Sequence, residues 1–361
     1  MKKVGILTYH SSDNFGSVLQ AYATCRMLRE EGMDARIVDL RKPEVKKMYS
    51  ILRLSRNPSV LMATAYNALH FFSLKSRQRR YERFRKERMT LSDRVYHSGR
   101  ELSEDDPGYD AYIVGSDQIW NMDILDHDRA FFLPFAGNAR RIALAASFGP
   151  VPKLRILPDM VRDDLRRFDL LTVRESRGAD IIETVGLSRP KIVPDPVFSL
   201  TKEQWCEVAA PKKRRDRYML CYFPGVVTAE FDDFTKRVAR ERGLNRVLLM
   251  PHWRNIMRQD CKNYSAGPEE FLGLVRDADM ICTNSFHAAA FAVIFEKEFI
   301  VGTHSFGADE RINTLLQITG LQSNEFHDQG YTYKPTDISG KTESLCSAIE
   351  ESRRMLLDAL K

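Results

Sequence analysis

The sequence predicts an α/β protein of two Rossmann-like domains facing a central crevice, with a basic helical excursion in the first. Three observations carry this expectation. Short apolar runs such as Val4-Gly5-Ile6-Leu7-Thr8, Ile142-Ala143-Leu144-Ala145-Ala146 and Met280-Ile281-Cys282 have the length and composition of strands buried on both faces. Helical patterns separate such runs: Val18, Tyr22, Cys25 and Leu28 recur at helical spacing between Phe15 and Glu31. Finally, 361 residues exceed one typical core, which predicts about two domains, placed at 1–200 and 201–361.

Composition narrows the function. The formal net charge of +6 favours anionic ligands or acidic surfaces but falls short of a dedicated nucleic-acid binder, so no nucleic-acid partner is expected. The six cysteines show no C-x-x-C pairing and read as reduced thiols, not a disulfide frame or zinc site. Met1-Lys2-Lys3 leads at once into a strand, and no apolar run approaches the length of a membrane span. The expected location is the cytoplasm, with peripheral contact at the inner face of the membrane as an alternative.

Taken in order, the first strand ends in the polar loop Tyr9 to Asn14, where His10, Asn14, Gly16, Ser17 and Gln20 crowd one βα loop and helix start. Such a place suits a small anion or a hydroxylated ligand, because a helix start offers N–H groups with no intrahelical acceptor. Capping by Asn14 or Ser17 is the plainer reading. Gly32 closes the helix and Ala35 to Leu40 supplies the next strand. Neither G-x-G-x-x-G nor a P-loop is present: Gly302 and Gly307 have the two-glycine spacing, but Ala308-Asp309 follows them. No cofactor is therefore expected.

Residues 43–100 change character. Lys46-Lys47, Arg53, Arg56 and the run from Lys75 to Arg88 read as a basic helical arm with Tyr81 and Phe84 interleaved. A solvated excursion packed on the first domain is one expectation; contact of Arg79, Arg80, Arg83 and Arg85 with an anionic membrane is the other. Tyr109 to Val114 then forms a strand, and Gly115-Ser116-Asp117-Gln118 with Asn121 places a second polar loop at a strand end, where it should converge with the first. Asp126-His127-Asp128 has a D-x-D spacing, but so short a pattern assigns no metal. Pro194-Asp195-Pro196 looks like a domain boundary.

In the second half, Tyr218 to Phe223 and Arg246 to Met250 read as strands around a helix at Glu230 to Arg242, and Arg254 lies in the loop that follows. Thr283-Asn284-Ser285 stops the run Met280-Ile281-Cys282 and starts a helix, so His287 sits in its first turn, well placed for acid/base chemistry. Packing of Phe286 and His287 at a strand end is the plainer alternative. Arg311 begins a further helix.

Four blocks, GILTYHSSDNFGSVLQAYA, YDAYIVGSDQIWN, GPEEFLGLVRDADMICTNSFHAAAF and RINTLLQITG, stand in an order and at separations that resemble the polysaccharide pyruvyl transferase family. The resemblance spans most of the chain. It implies a fold similar to the GT-B glycosyltransferases, phosphoenolpyruvate as donor and, as acceptor, a sugar of a cell-surface glycan or exopolysaccharide, free or lipid-linked. It carries the family's catalytic His onto His287. Some members have a donor-binding Arg two positions earlier, where this chain has Ser285.

Ketal formation needs one acid and grips for a carboxylate and a phosphate. Arg254 and Arg311, with Ser285 and Phe286 beside His287, are the candidates for the donor, because a guanidinium can hold either anion bidentately. Asn14, Gln20, Ser116, Asp117, Gln118 and Asn121 would face the acceptor, with Asp117 taking a hydroxyl proton. A nucleotide-sugar glycosyltransferase and a non-catalytic glycan-binding relative are the other readings. A serine hydrolase is disfavoured, since no G-x-S-x-G elbow occurs.

Overall fold

The structure, a computed structural model, describes residues 1–52, 57–124, 127–149, 157–224, 227–249, 261–302, 310–327 and, from 331 to 361, all but 332, 334, 336, 337, 339 and 341. The chain forms two compact units. One comprises Met1–Tyr49, Arg85–Leu200 and Leu345–Lys361; the other comprises Ser50–Phe84 and Thr201–Ser344.

The first unit is built on β1 (Lys3–Leu7), β2 (Asp34–Leu40), β3 (Leu91–Tyr96), β4 (Ala111–Val114), β5 (Arg140–Ala146), β6 (Leu170–Val173) and β7 (Lys191–Ile192). They form one seven-stranded sheet in the order β3-β2-β1-β4-β5-β6-β7. Every pairing is parallel, with Val4 opposite Ala111 and Leu7 opposite Val114 where β1 meets β4. Central strands of such a sheet are covered on both faces, which is why β4 is buried at all four positions. Its helices are α1 (Phe15–Glu30), α2 (Pro43–Met48), α5 (Gly99–Glu104), α6 (Asp159–Leu165), α7 (Ser176–Thr184) and most of α13 (Glu343–Ala359). α1 ends because Gly32 takes a left-handed φ of 80°, which costs a residue without Cβ little. Trp120, fully buried, stacks on Phe132 with ring centroids 5.7 Å apart, and its Nε1 donates to the Phe131 carbonyl at 3.1 Å. That anchor ties the loop after β4 to the core.

The second unit carries β8 (Tyr218–Tyr222), β9 (Asn245–Leu249), β10 (Cys261–Asn263), β11 (Met280–Thr283), β12 (Phe299–Gly302) and β13 (Glu325–Phe326), again all parallel, in the order β10-β9-β8-β11-β12-β13. Its helices are α3 (Pro58–Leu69), α8 (Lys202–Val208), α9 (Ala229–Glu241), α10 (Pro268–Asp277), α11 (Phe286–Ile294) and α12 (Glu310–Thr319). α4 (Phe71–Arg88) belongs to this unit as far as Phe84. Its core gathers Met219, Cys221, Phe231, Phe234, Cys282, Ile300 and Phe326. In each sheet the winding reverses once, at β1/β4 and at β8/β11. Ligands of open α/β sheets bind at the carboxyl ends of the strands flanking such a reversal.

Two features differ from the sequence expectation. Residues 50–84 pack with the second unit, not the first: Tyr66 Oη meets Tyr264 Oη at 2.6 Å, Arg80 Nη1 donates to the Ser265 carbonyl at 2.9 Å, and Arg83 Nη2 lies 3.2 Å from Glu269. The closing helix α13 returns to the first unit. The expected arm of 43–100 also contains β3, an edge strand whose Asp93, Arg94 and Val95 are exposed. As for membrane contact, Arg85 is 2% exposed: Nε donates to the His10 carbonyl at 3.1 Å and Nη2 to the Ser12 carbonyl at 2.7 Å and to Asp13 at 2.8 Å. A guanidinium that holds three loop oxygens is not offered to lipid. Among the described residues no helix is long and apolar enough to cross a membrane.

Candidate functional site

The first unit brings its two predicted loops together at the β1/β4 reversal. Gln20, fully buried on α1, is the clasp: its Nε2 donates to Thr8 Oγ1 at 2.7 Å and to the Ser17 carbonyl at 2.9 Å, and its Oε1 accepts from the Ser116 N–H at 2.9 Å. Ser17 Oγ donates to Asp117, whose other oxygen accepts from the Gln118 N–H at 2.8 Å. Gly115 stands at φ 109°, and a Cβ there would run into the Leu144 carbonyl oxygen, so the loop needs glycine at that point. Asn121 Nδ2 donates to Gln118 Oε1 at 3.1 Å.

The predicted residues divide by exposure. Asn14 is exposed and Gln118 half-buried, while Asn14 Oδ1 caps α1 by accepting from the Gly16 and Ser17 N–H groups at 2.9 and 3.3 Å. His10 is fully buried, with Nε2 2.9 Å from Asp39 Oδ1 and Nδ1 3.2 Å from the Thr8 carbonyl. Both ring nitrogens are engaged, so His10 supports the loop from behind. Burial alone would push the Asp39 carboxyl up, but hydrogen bonds from His10 and Arg41 outweigh it and hold it at about 2.

The sign of the pH dependence follows. A carboxyl lowered in the folded state from its ordinary 3.8 adds stability that is fully present above that value and is lost as pH falls toward about 2. Asp39→Asn should therefore lower the urea midpoint near neutrality by the equivalent of about 2 kcal/mol. The gap to the parent should narrow as the medium is acidified. A gap that stays constant down to about pH 2.5 would show that the charge of Asp39 contributes nothing.

A buried ionic cluster underlies the same loop and was not singled out from the sequence. Arg174, 3% exposed at the end of β6, puts Nη1 2.6 Å from Asp195 Oδ2 and 3.3 Å from Ser116 Oγ, with Nη2 3.9 Å from Asp117. Ser116 Oγ lies 2.9 Å from Asp195 Oδ2 and 2.9 Å from the Ala145 carbonyl. The beta-strand ends therefore supply one positive and two negative side chains around a serine. Asp195, which looked like a boundary marker between two prolines, also caps the turn of 3₁₀ helix that follows, its Oδ1 accepting from the Val197 N–H at 3.0 Å. The only sequence signal for the pair is position: Arg174 directly follows the apolar run Leu170 to Val173, and Asp195 follows Lys191-Ile192-Val193 with Pro194 between. Asp117 thus accepts from the Ser17 hydroxyl and the Gln118 N–H, with the Arg174 guanidinium 3.9 Å away.

In the second unit the β8/β11 reversal carries the loop that holds His287. Thr283 Oγ1 donates to the Tyr222 carbonyl at 2.6 Å and accepts from the Ser285 N–H at 3.0 Å, tying the turn to the neighbouring strand β8. Ser285 is the N-cap of α11, its side chain accepting from the Ala288 N–H at 3.4 Å. Phe286 and His287 open the helix; the rings meet edge-on at 5.1 Å, and His287 is 8% exposed. Arg311 is half-buried in the first turn of α12, which packs on α11. Arg254 and Asp126 lie outside the described residues. Asp128 caps a 3₁₀ turn, with Oδ1 3.0 Å from the Ala130 N–H, and accepts from the Gly99 N–H at 3.3 Å. Among the described residues no cluster of His, Cys, Asp and Glu suits a metal ion.

Two all-parallel sheets, each reversing once with polar loops at the reversal, define a protein of the GT-B type with two Rossmann-like units. Its sequence matches the pattern of the polysaccharide pyruvyl transferases over residues 14–305, and the chain belongs to that family. No curated protein matches it. Among solved structures it is similar to S. aureus MnaA with UDP (10% identity, TM-score 0.51, covering 99% of this chain and 88% of that one). It is also similar to the UDP-GlcNAc 2-epimerase from Methanocaldococcus jannaschii (12% identity, TM-score 0.50, covering 99% of each chain). At such identities the likeness is one of fold.

Proposed function

We propose that this protein transfers pyruvate from phosphoenolpyruvate to a sugar of a cell-surface or exopolysaccharide glycan, free or lipid-linked, as a ketal. The observation that carries the reading is the position of His287: the one histidine in the first turn of α11, at the reversal point of the second sheet, inside the stretch that matches the family. His287 is the general acid. It protonates the methylene carbon of phosphoenolpyruvate, and the adjacent carbon, now cationic, is attacked by one sugar hydroxyl. Phosphate leaves and a second hydroxyl closes the ketal. One hydroxyl proton restores His287; the other leaves with the phosphate. Donor anions are assigned to the start of α11 with Ser285 and Phe286, to Arg311 and to Arg254, since guanidinium groups and helix starts both favour phosphate and carboxylate.

Acceptor contacts are assigned to the exposed atoms of the first unit's loops, Asn14 and Gln118, with Asn121 behind them. His10, Gly16, Ser17, Gln20, Ser116 and Asp117 shape those loops. A calorimetric titration separates this reading from its nearest rival. Phosphoenolpyruvate should bind and uridine diphosphate should not; binding of uridine diphosphate with no turnover of phosphoenolpyruvate would replace it with glycosyl transfer from a nucleotide sugar.

A further inference from the structure

Among the described residues, six of the nine exposed large apolar side chains, Leu52, Leu61, Met62, Leu69, Phe71 and Phe72, fall within residues 52–72. α3 has no charged residue at all, and it faces the wrong way for a core helix. Tyr66 is its buried contact, hydrogen-bonded to Tyr264, whereas Leu61, Met62, Ala65, Ala68 and Leu69 are exposed. These positions recur at helical spacing and form one apolar stripe. Apolar exposure extends into the first turn of α4, where Phe72 is 88% exposed, three residues after Leu69 at 82%. The surface then turns basic, with Lys75 and Arg79 exposed.

We propose that this face is a membrane-docking surface that lies flat on an anionic lipid bilayer. An apolar helical stripe adjoined by lysine and arginine is the arrangement that settles at the boundary of headgroups and acyl chains: the apolar side chains enter and the cations meet the phosphates. A second copy of this chain would bring the same cations, and α3 offers no acidic side chain to receive them. The contact uses Lys75 and Arg79. Arg80, Arg83 and Arg85 of the same helix are held by Ser265 and Glu270, by Glu269 and by the loop at 10–13. The inference is independent of the reaction catalysed.

The test is co-sedimentation of the full chain with vesicles of phosphatidylcholine alone and of phosphatidylcholine mixed with phosphatidylglycerol, with light scattering of the protein alone. Leu69 and Phe72 are exposed, so L69Q/F72Q should fold as the parent does. The parent should bind the anionic vesicles, L69Q/F72Q at least about tenfold more weakly. K75Q/R79Q should bind more weakly and with a flatter dependence on salt. A parent that binds no vesicle, or an L69Q/F72Q variant that binds as the parent does, overturns the proposal. So does a parent dimer that L69Q/F72Q converts to monomer, which would make the face a contact between copies.

Discussion

Replacing His287 by Asn is expected to lower turnover by about a hundred- to ten-thousand-fold while leaving the affinity for phosphoenolpyruvate within a few-fold of the parent. Asn is polar and smaller than His, and it cannot deliver a proton. The side chain sits in a turn held by other bonds, Thr283 to Tyr222 and Ser285 to Ala288, so the change should not disturb the helix start. The measurement is a comparison of single-turnover rate with donor dissociation constant. Near-parental turnover, or activity and affinity lost in equal proportion, would make His287 a packing or binding residue and place the acid elsewhere.

The second large effect concerns folding of the first unit. Asp195→Ala removes the carboxylate from Arg174 and leaves a buried guanidinium without its closest counter-charge. Breaking such a pair typically costs about 3–5 kcal/mol, whereas removing both partners costs less than the sum, because no charge is then stranded. Asp195→Ala with Arg174→Met should accordingly be more stable than the sum of the two single changes predicts. Urea unfolding of the parent, both single variants and the double variant gives the answer. Additive losses, or a loss below about 1 kcal/mol for Asp195→Ala, would mean that water or neighbouring groups satisfy Arg174 unaided. Because Ser116 and Asp117 share this cluster, the same variants should also weaken whatever the loop after β4 binds.

Much of this architecture was legible from residues alone, and the reasons are local. Apolar runs of four to seven residues that end in turn-forming residues announce buried parallel strands; β1, β5, β8 and β11 did so, and the polar loops after β1 and β4 meet through Ser17 and Asp117. What was not legible depends on contacts distant in sequence or on elements too short to show a period. β3 reads LSDRVY, with half its residues exposed, and β10 has only three residues. Nothing near Tyr66 announces that it will bond Tyr264, 198 residues away, and carry residues 50–84 into the second unit. Arg85 looked like one charge among many in a basic run, and its burial follows from carbonyl oxygens that gather only when the loop at 10–13 folds against it. Within the candidate site the polar loops at the strand ends were legible, but which of their side chains stay exposed was not. Exposure decides which side chains can touch a ligand, and His10 and Gln20 turn out to be enclosed.

The most direct test of pyruvyl transfer follows the proton itself. The protein is incubated in deuterated water with phosphoenolpyruvate and a glycan fraction from a bacterial cell envelope, and released phosphate is counted against acid-labile pyruvate recovered from the glycan. The account predicts equal amounts of the two and a single deuterium in the methyl group of the recovered pyruvate, delivered from the acid at His287. Release of phosphate without ketal, or ketal whose methyl group carries no deuterium, would contradict it.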